Sequence, residues 1–301
     1  MKPPPFKYYA PTSLAEALTR LAEHGGEAKA LAGGQSLIPT MNFRLAQPEA
    51  LVDLNHIPEL SYIRPTADGG LAVGAMTRHR QVERSTLVKA RAPLVYETMP
   101  FIAHPQIRNR GTFGGSLAHA DPAAELPAVT TVLDARFVIQ SKRGKREVPA
   151  QEFFVDLFTT CLEAEELLVE VILPPQLART GYAFREVSRR HGDYALVGVA
   201  ASVTLDKAGQ CETARLIYFS VGPGPVEAVQ AAALLSGQAL TPAAIEAAAE
   251  AAATSDIDPS GDIHASVGYR RHLAKTLARQ VLAEAAKQAK AKAEAETGIG
   301  T

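Results

Sequence analysis

Cysteine is scarce in this chain, with Cys161 and Cys211 the two present. A [2Fe–2S] cluster on thiolates takes four, and a structural zinc site takes four Cys or His ligands at close spacing. Neither set is available around these two, which read as small buried thiols in a reducing compartment. A surplus of charge is lacking too: 31 basic residues stand against 32 acidic ones, a net of −1. Proteins that live on nucleic acid usually carry a basic surplus, so no nucleic-acid partner is expected. Met1-Lys2-Pro3-Pro4-Pro5-Phe6 has no apolar core, so no secretory signal is read. The uncharged stretch from Ala228 to Ile245 is broken by Gly237 and Pro242, so no transmembrane segment is expected. A cytoplasmic location follows as the expectation.

The familiar nucleotide and hydrolase signatures are missing as well. No G-x-G-x-x-G opens a βαβ unit, no G-x-x-x-x-G-K-[ST] occurs, and no G-x-S-x-G surrounds a serine. These absences argue against a Rossmann NAD site, a P-loop NTPase and an α/β-hydrolase. His119-Ala120-Asp121 offers two metal ligands with no third at a recognisable spacing, so no metal is expected. What is there is ordinary for a globular protein. The 301 residues are 47% hydrophobic and 21% charged, enough for two or three domains with a buried core.

The chain divides into three α/β-mixed segments and reads as α+β. Residues 1–58 give a strand near Phe6, a helix opened by the Ser13/Glu16 capping spacing, a strand at Ala28–Ala32, a short helix from about Ser36, and the strand Leu51–Leu54. Residues 59–177 give a strand at Leu71–Ala75, helix from Arg80 to Phe101 with a kink at Pro93, and a loop from Arg108 to Leu117. A helix at Leu126–Leu133, a hairpin around Lys142-Arg143-Gly144-Lys145 and a strand at Leu167–Leu173 complete that segment. Residues 178–288 give three antiparallel strands, Tyr182–Val187, Ala195–Leu205 and Ala214–Val221. Ala-rich helices at Val226–Leu235, Pro242–Ala253 and Val267–Lys287 follow. Residues 289–301 have no apolar face and read as a disordered tail.

Two glycine-rich stretches carry the candidate chemistry. Leu31-Ala32-Gly33-Gly34-Gln35-Ser36-Leu37-Ile38 runs from a strand through paired glycines into a helix start. Asn109-Arg110-Gly111-Thr112-Phe113-Gly114-Gly115-Ser116 repeats the paired glycines between two hydroxyls. Glycines let the backbone approach an anion, and helix N-terminal N–H groups point at it. Each pair alone is most often a tight turn; two from different segments suit one pyrophosphate clamped between domains. Arg108 and Arg110 flank the second stretch, positioned to neutralise a phosphate or to bond acidic neighbours. Lys142 to Arg146 reads first as a solvated hairpin tip and second as a docking patch.

Ala32-Gly33-Gly34-Gln35-Ser36 and Thr112-Phe113-Gly114-Gly115-Ser116 resemble the paired pyrophosphate motifs of the FAD-binding medium subunit of molybdenum hydroxylases. That family includes carbon monoxide dehydrogenase and xanthine dehydrogenase. Ile107-Arg108-Asn109-Arg110-Gly111, Asp121-Pro122-Ala123-Ala124-Glu125-Leu126-Pro127, and Arg189-Arg190 with Asp193-Tyr194-Ala195 extend the resemblance to about residue 287. It implies a vanillyl-alcohol-oxidase-type (PCMH-like) fold of two α/β subdomains with FAD between them. A C-terminal domain with a three-stranded antiparallel sheet and helices would follow. By position, Leu31, Ala32, Gly33, Gly34, Gln35, Ser36, Leu37 and Ile38 would form the first pyrophosphate loop. Thr112, Phe113, Gly114, Gly115 and Ser116 would form the second, with Thr112 and Ser116 as hydroxyl donors. Ile102 would pack on the flavin. Glu125 stands where the family has an Asp that bonds the cofactor. Leu167 would lie on the strand that meets the isoalloxazine ring, Arg185 would sit near the flavin, and Tyr194 would shield one face of it or serve as an ordinary strand residue. Gln35 stands where the carbon monoxide enzymes carry a His.

The resemblance further implies a heterotrimer, often doubled into a dimer of heterotrimers. A large subunit would hold the molybdopterin cofactor and oxidise substrate, and a small subunit would carry two [2Fe–2S] clusters. This chain would take electrons from those clusters on FAD and pass them to an external acceptor such as NAD⁺, a quinone or a cytochrome. Two other readings stand beside it. One is a stand-alone FAD-dependent oxidoreductase with its own substrate; the other is a non-redox nucleotide-binding module that uses the same two loops.

Overall fold

A computed structural model describes residues 2–298. The first segment builds a small parallel sheet from β1 (Lys7–Tyr9), α1 (Leu14–His24), β2 (Ala28–Leu31), α2 (Leu37–Asn42) and β3 (Ala50–Asp53), in the order β1-β3-β2. Parallel neighbours need a crossover, and the stretch that holds α2 supplies it between β2 and β3. The Ser13 side chain accepts from Glu16 N, while Glu16 Oε2 accepts from Thr12 N, one residue earlier than a capping box would place it. Ala17, Leu18 and Leu21 lie on one face of α1 and are buried against the sheet. Gly25, at φ 52°, ends the helix in a conformation that favours glycine.

The second segment runs through β4 (Ile63–Pro65), β5 (Leu71–Gly74), α3 (His79–Arg84), α4 (Thr86–Arg91), α5 (Pro93–Thr98), α6 (Pro105–Arg108), α7 (Phe113–His119), α8 (Glu125–Val132), β6 (Arg136–Ser141), β7 (Gly144–Pro149), α9 (Ala150–Phe153), β8 (Phe154–Asp156), β9 (Thr159–Thr160) and β10 (Leu167–Leu173). Its main sheet is antiparallel, ordered β4-β5-β10-β6-β7. The central strand β10 is apolar on both faces because both are covered. Leu167 and Val169 enter the core of the first segment, with Leu18, Val52 and Met76. Leu168, Val171 and Leu173 enter a second core with Phe113, Phe137 and Leu126.

The third segment holds β11 (Thr180–Ser188), β12 (Ala195–Leu205), β13 (Cys211–Phe219), β14 (Val226–Glu227), α10 (Val229–Leu235), α11 (Pro242–Ala251) and α12 (Val267–Gly298). The antiparallel sheet β11-β12-β13-β14 is sandwiched. Val197, Val199, Ala201 and Val203 pack on α12, whereas Ala200, Ile217 and Phe219 join the core that contains α5 and α8. All eight residues of α8 are buried, so this helix fastens the second segment to the third.

The mixed α+β class matches the expectation, and four local readings need correction. The stretch Arg80–Phe101 is three helices, broken at Ser85, which caps α4, and at Ala92, which precedes Pro93. Val226 and Glu227 form a fourth strand on β13 instead of opening a helix. The stretch read as a loop from Arg108 to Leu117 contains α7. The segment from 289, read as tail, continues α12 to Gly298. Ala289 is fully buried there, and Lys292 Nζ donates to Thr180 O at 2.7 Å and to Gln176 Oε1 at 3.2 Å. Ala, Lys and Glu are strong helix formers, and a lysine stem can cover apolar surface while its head bonds at the edge. Residues 299–301 lie outside the described residues. No described helix is long and apolar enough to cross a membrane.

Candidate functional site

The first glycine-rich stretch turns between β2 and α2. Gly34 sits at φ 70°, where any β-carbon is strained. The backbone N–H groups of Gly33, Gly34, Gln35 and Ser36 find no acceptor among the described residues. The Gln35 side chain folds back to donate to Gly33 O at 3.0 Å. Four successive unpaired N–H groups are a donor set suited to an anion.

The second stretch is built differently. Thr112 caps α7, and its Oγ1 accepts from Gly115 N at 3.1 Å. Phe113 N donates to Thr77 O, Gly114 N to Ala75 O, and Ser116 N to Thr112 O. These N–H groups are therefore already paired inside the protein. Phe113 is fully buried in the core. A β-carbon on Gly114 would lie 2.7 Å from Ala75 Cα, so this glycine lets α7 sit against the end of β5. One on Gly115 would lie 2.5 Å from Thr112 Oγ1 and 3.1 Å from Ala32 Cβ. Thr112 is buried, and Ser116 is half-buried with a hydroxyl free of bonds among the described residues. The first stretch therefore leaves backbone N–H groups unpaired, whereas the second has the hydroxyls of Thr112 and Ser116 left to donate.

The two stretches do meet. A β-carbon on Gly33 would strike Arg110 O and lie 2.8 Å from Gly111 Cα. Beside this contact opens a cleft of about 390 Å³, lined by Ala32 to Gln35, Ile38, Pro39, Asn42, Asp53, Asn55, Ile107 and Arg110. Its volume lies at the lower end of the ~300–1,000 Å³ typical of ligand pockets. Arg110 is exposed and forms no ion pair among the described residues. Arg108, by contrast, is buried. It bonds Glu83 at 3.2 Å and the carbonyls of Ile102 and Ala103 at 2.9 and 2.8 Å. Of the two flanking arginines, one is structural and the other is left for an anion. The basic hairpin is matched by acids: Arg143 bonds Glu163 and Glu165, and Arg146 bonds Glu166.

Asp53, Asn55 and Asn42 were not singled out from sequence. Asp53 is buried at the end of β3, accepting from Tyr8 Oη at 2.5 Å and from Asn55 N at 2.9 Å. The signal available was polar residues directly after a buried strand, in Leu51-Val52-Asp53-Leu54-Asn55.

A second group of candidates gathers beyond α6. Ile102 and Glu125 are each 7% exposed. Burial, with Asp121 adding repulsion, pushes the Glu125 carboxyl up to about 7. Burial and the neighbouring Glu125 push Glu186 up to about 8, and its buried Oε2 has no hydrogen-bond partner. Tyr194 is exposed. Gly192, at φ 87°, lies so near His104 that a β-carbon would approach Nδ1 to 2.7 Å, which seats the turn before Tyr194 on the segment beside Ile102. Arg185 is exposed on β11 and donates to Phe184 O at 2.8 Å. Leu167 is elsewhere. It is buried between β10 and the first segment, with Met76 and Val138, so its side chain serves the core.

Comparison with known proteins agrees along the whole length. The FAD binding domain in molybdopterin dehydrogenase matches residues 4–176, and the CO dehydrogenase flavoprotein C-terminal domain matches residues 182–285. The chain is 44% identical over 290 residues to the 6-hydroxypseudooxynicotine dehydrogenase complex subunit alpha of Paenarthrobacter nicotinovorans, covering 96% of this chain and 97% of that one. A solved structure of carbon monoxide dehydrogenase from Hydrogenophaga pseudoflava superposes with a TM-score of 0.90 at 40% identity, over 95% of this chain and 98% of that one. Quinoline 2-oxidoreductase from Pseudomonas putida 86 gives a TM-score of 0.90 at 39% identity, over 96% of this chain and 99% of that one.

Proposed function

The chain belongs to the FAD-binding medium subunits of the molybdenum hydroxylases, oxidoreductase subunits of heteromeric dehydrogenases, and from that premise we propose that it holds FAD between its first two segments and relays electrons to an external acceptor. The observation that carries this reading is the run of four unpaired N–H groups at Gly33–Ser36, of which Gly33, Gly34 and Gln35 line the cleft together with Arg110. These N–H groups donate to the pyrophosphate, and Arg110 offsets its charge. The Ser116 hydroxyl adds a donor. Ile102 and Tyr194 enclose the ring system, and Glu125, whose carboxyl is pushed up to about 7, donates a hydrogen bond in its protonated form. Bound FAD supplies the conversion between one-electron and two-electron transfer.

The electrons come from a partner. The two cysteines, of which Cys211 is buried, fall short of the four thiolates a [2Fe–2S] cluster needs. A small iron–sulfur subunit and a large molybdopterin subunit complete the assembly, as a dimer of heterotrimers.

The test is co-expression with the two partner subunits, followed by anaerobic addition of the holoenzyme's substrate while flavin absorbance is recorded. Bleaching in the complex but not in the isolated flavin-loaded chain is expected. Bleaching of the isolated chain by an organic substrate would instead establish a stand-alone oxidoreductase.

A further inference from the structure

We propose that Arg78 is a positioning residue that sets the spacing between the two cofactor loops, acting through Asn55 on the first and through the Arg110 carbonyl on the second; this rests on the reading of that cleft as the FAD site. Arg78 immediately precedes α3, and its backbone pairs across to Thr112 as an isolated β-bridge. Its side chain runs the other way. Nη2 donates to Asn55 Oδ1 at 2.5 Å, and Nη1 donates to Arg110 O. Asn55 Nδ2 in turn donates to Ala32 O at 2.9 Å. Ala32 adjoins Gly33, and Gly33 rests against the same Arg110 carbonyl.

The contacts therefore close a ring: Ala32 carbonyl, Asn55 amide, Arg78 guanidinium, Arg110 carbonyl, Gly33. Each member belongs to one of the two loops or links them. Asp53 fixes the hub from behind, accepting from Asn55 N and, through its other oxygen, from Tyr8. Arg78 is suited to this post because a planar fork reaches two acceptors at fixed divergence, which an ammonium on a flexible stem does not. Both acceptors of its side chain are neutral, so its charge also stays uncancelled by any directly bonded carboxylate beside the anion site. The guanidinium does not need to touch the cofactor to matter. It holds the N–H groups of Gly33–Ser36 at a set distance from Arg110.

The experiment compares the full-length chain with Arg78→Lys, Arg78→Met, Asn55→Ser and the Arg78→Met/Asn55→Ser pair. Calorimetry with FAD, ADP and FMN is combined with amide hydrogen exchange of the ligand-free proteins. Arg78→Met should weaken FAD and ADP by the same factor, tenfold or more, and leave FMN unchanged. Arg78→Lys should recover part of that loss. The double variant should fall no further than Arg78→Met, because both substitutions break one ring. Exchange should rise together at Ile38 and Thr40, whose N–H groups bond the Gly34 and Ser36 carbonyls, and at 109–111, while β12 stays protected, a pattern that general destabilisation does not give. FAD and ADP affinities within twofold of the parent, with exchange unchanged at both loops, would overturn the proposal. Should the parent bind neither FAD nor ADP, the cofactor reading falls, while the exchange pattern still decides the spacing claim.

Discussion

Glu125→Gln should stabilise the ligand-free chain, and the gain should grow with pH. Glu125 is 7% exposed, and among the described residues its carboxyl bonds nothing but its own backbone N–H. Burial pushes its carboxyl up to about 7 from an ordinary 4.5. An acid whose folded pKa lies above its unfolded one costs nothing below the lower value. The cost grows as pH climbs through the interval and is constant above it. Linkage over this interval gives a penalty of about 0.8 kcal/mol at pH 5 and about 3 kcal/mol at pH 8. Glutamine keeps the shape and never ionises, so it removes the penalty at both. It also relieves Glu186, which Glu125 helps to hold near 8. Urea unfolding of both proteins at the two pH values gives the numbers. The gain from the substitution should be larger at pH 8 than at pH 5 by about 2 kcal/mol. Equal gains at both pH values would refute the reasoning, since Glu125 would then titrate like an exposed acid.

Gly33→Ala should cost about 1–3 kcal/mol and weaken FAD at least tenfold, because its β-carbon meets backbone at Arg110 and Gly111; calorimetry and thermal unfolding read both effects. Gly26→Ala is the control. No atom lies within 4 Å of its β-carbon, and a gain of about 0.4–1 kcal/mol is expected in the same unfolding assay. Gly115→Val should weaken FAD indirectly, by displacing Thr112 Oγ1 and Ala32; a crystal structure of the variant should show that shift. Arg108→Met should lower stability by about 2 kcal/mol, because it leaves Glu83 to Arg80 and strands the carbonyls of Ile102 and Ala103.

The parts of the fold legible in the sequence were those with local causes. The Ser13 cap, the stop at Gly25, the period-3.6 face of α1 and the two-residue hairpin at Lys142-Arg143 all follow from neighbours in the chain. The joint approach of the two glycine-rich stretches was expected from their composition, and Gly33 against Arg110 realises it. What sequence obscured depends on distant packing. Gly114 and Gly115 look like loop glycines, yet they are helical because α7 must sit on Ala75 and Ala32. Val226 looks helical from its alanine-rich surroundings, but β13 offered it an unpaired edge. Leu167 follows the family's pattern of positions, while its side chain answers to the face of β10 that meets the first segment. Arg78 and Asn55 were invisible because a hydrogen-bonded ring between segments leaves no periodicity.

The central claim is that the unpaired N–H groups of Gly33–Ser36 grip a pyrophosphate. Calorimetric titration of the flavin-free chain with FAD, with FMN and ADP as comparisons, tests it most directly. FAD and ADP should bind, and FMN, which lacks the pyrophosphate, should bind at least a hundredfold more weakly than FAD, a difference of about 3 kcal/mol. FMN binding as tightly as FAD, with ADP silent, would contradict it.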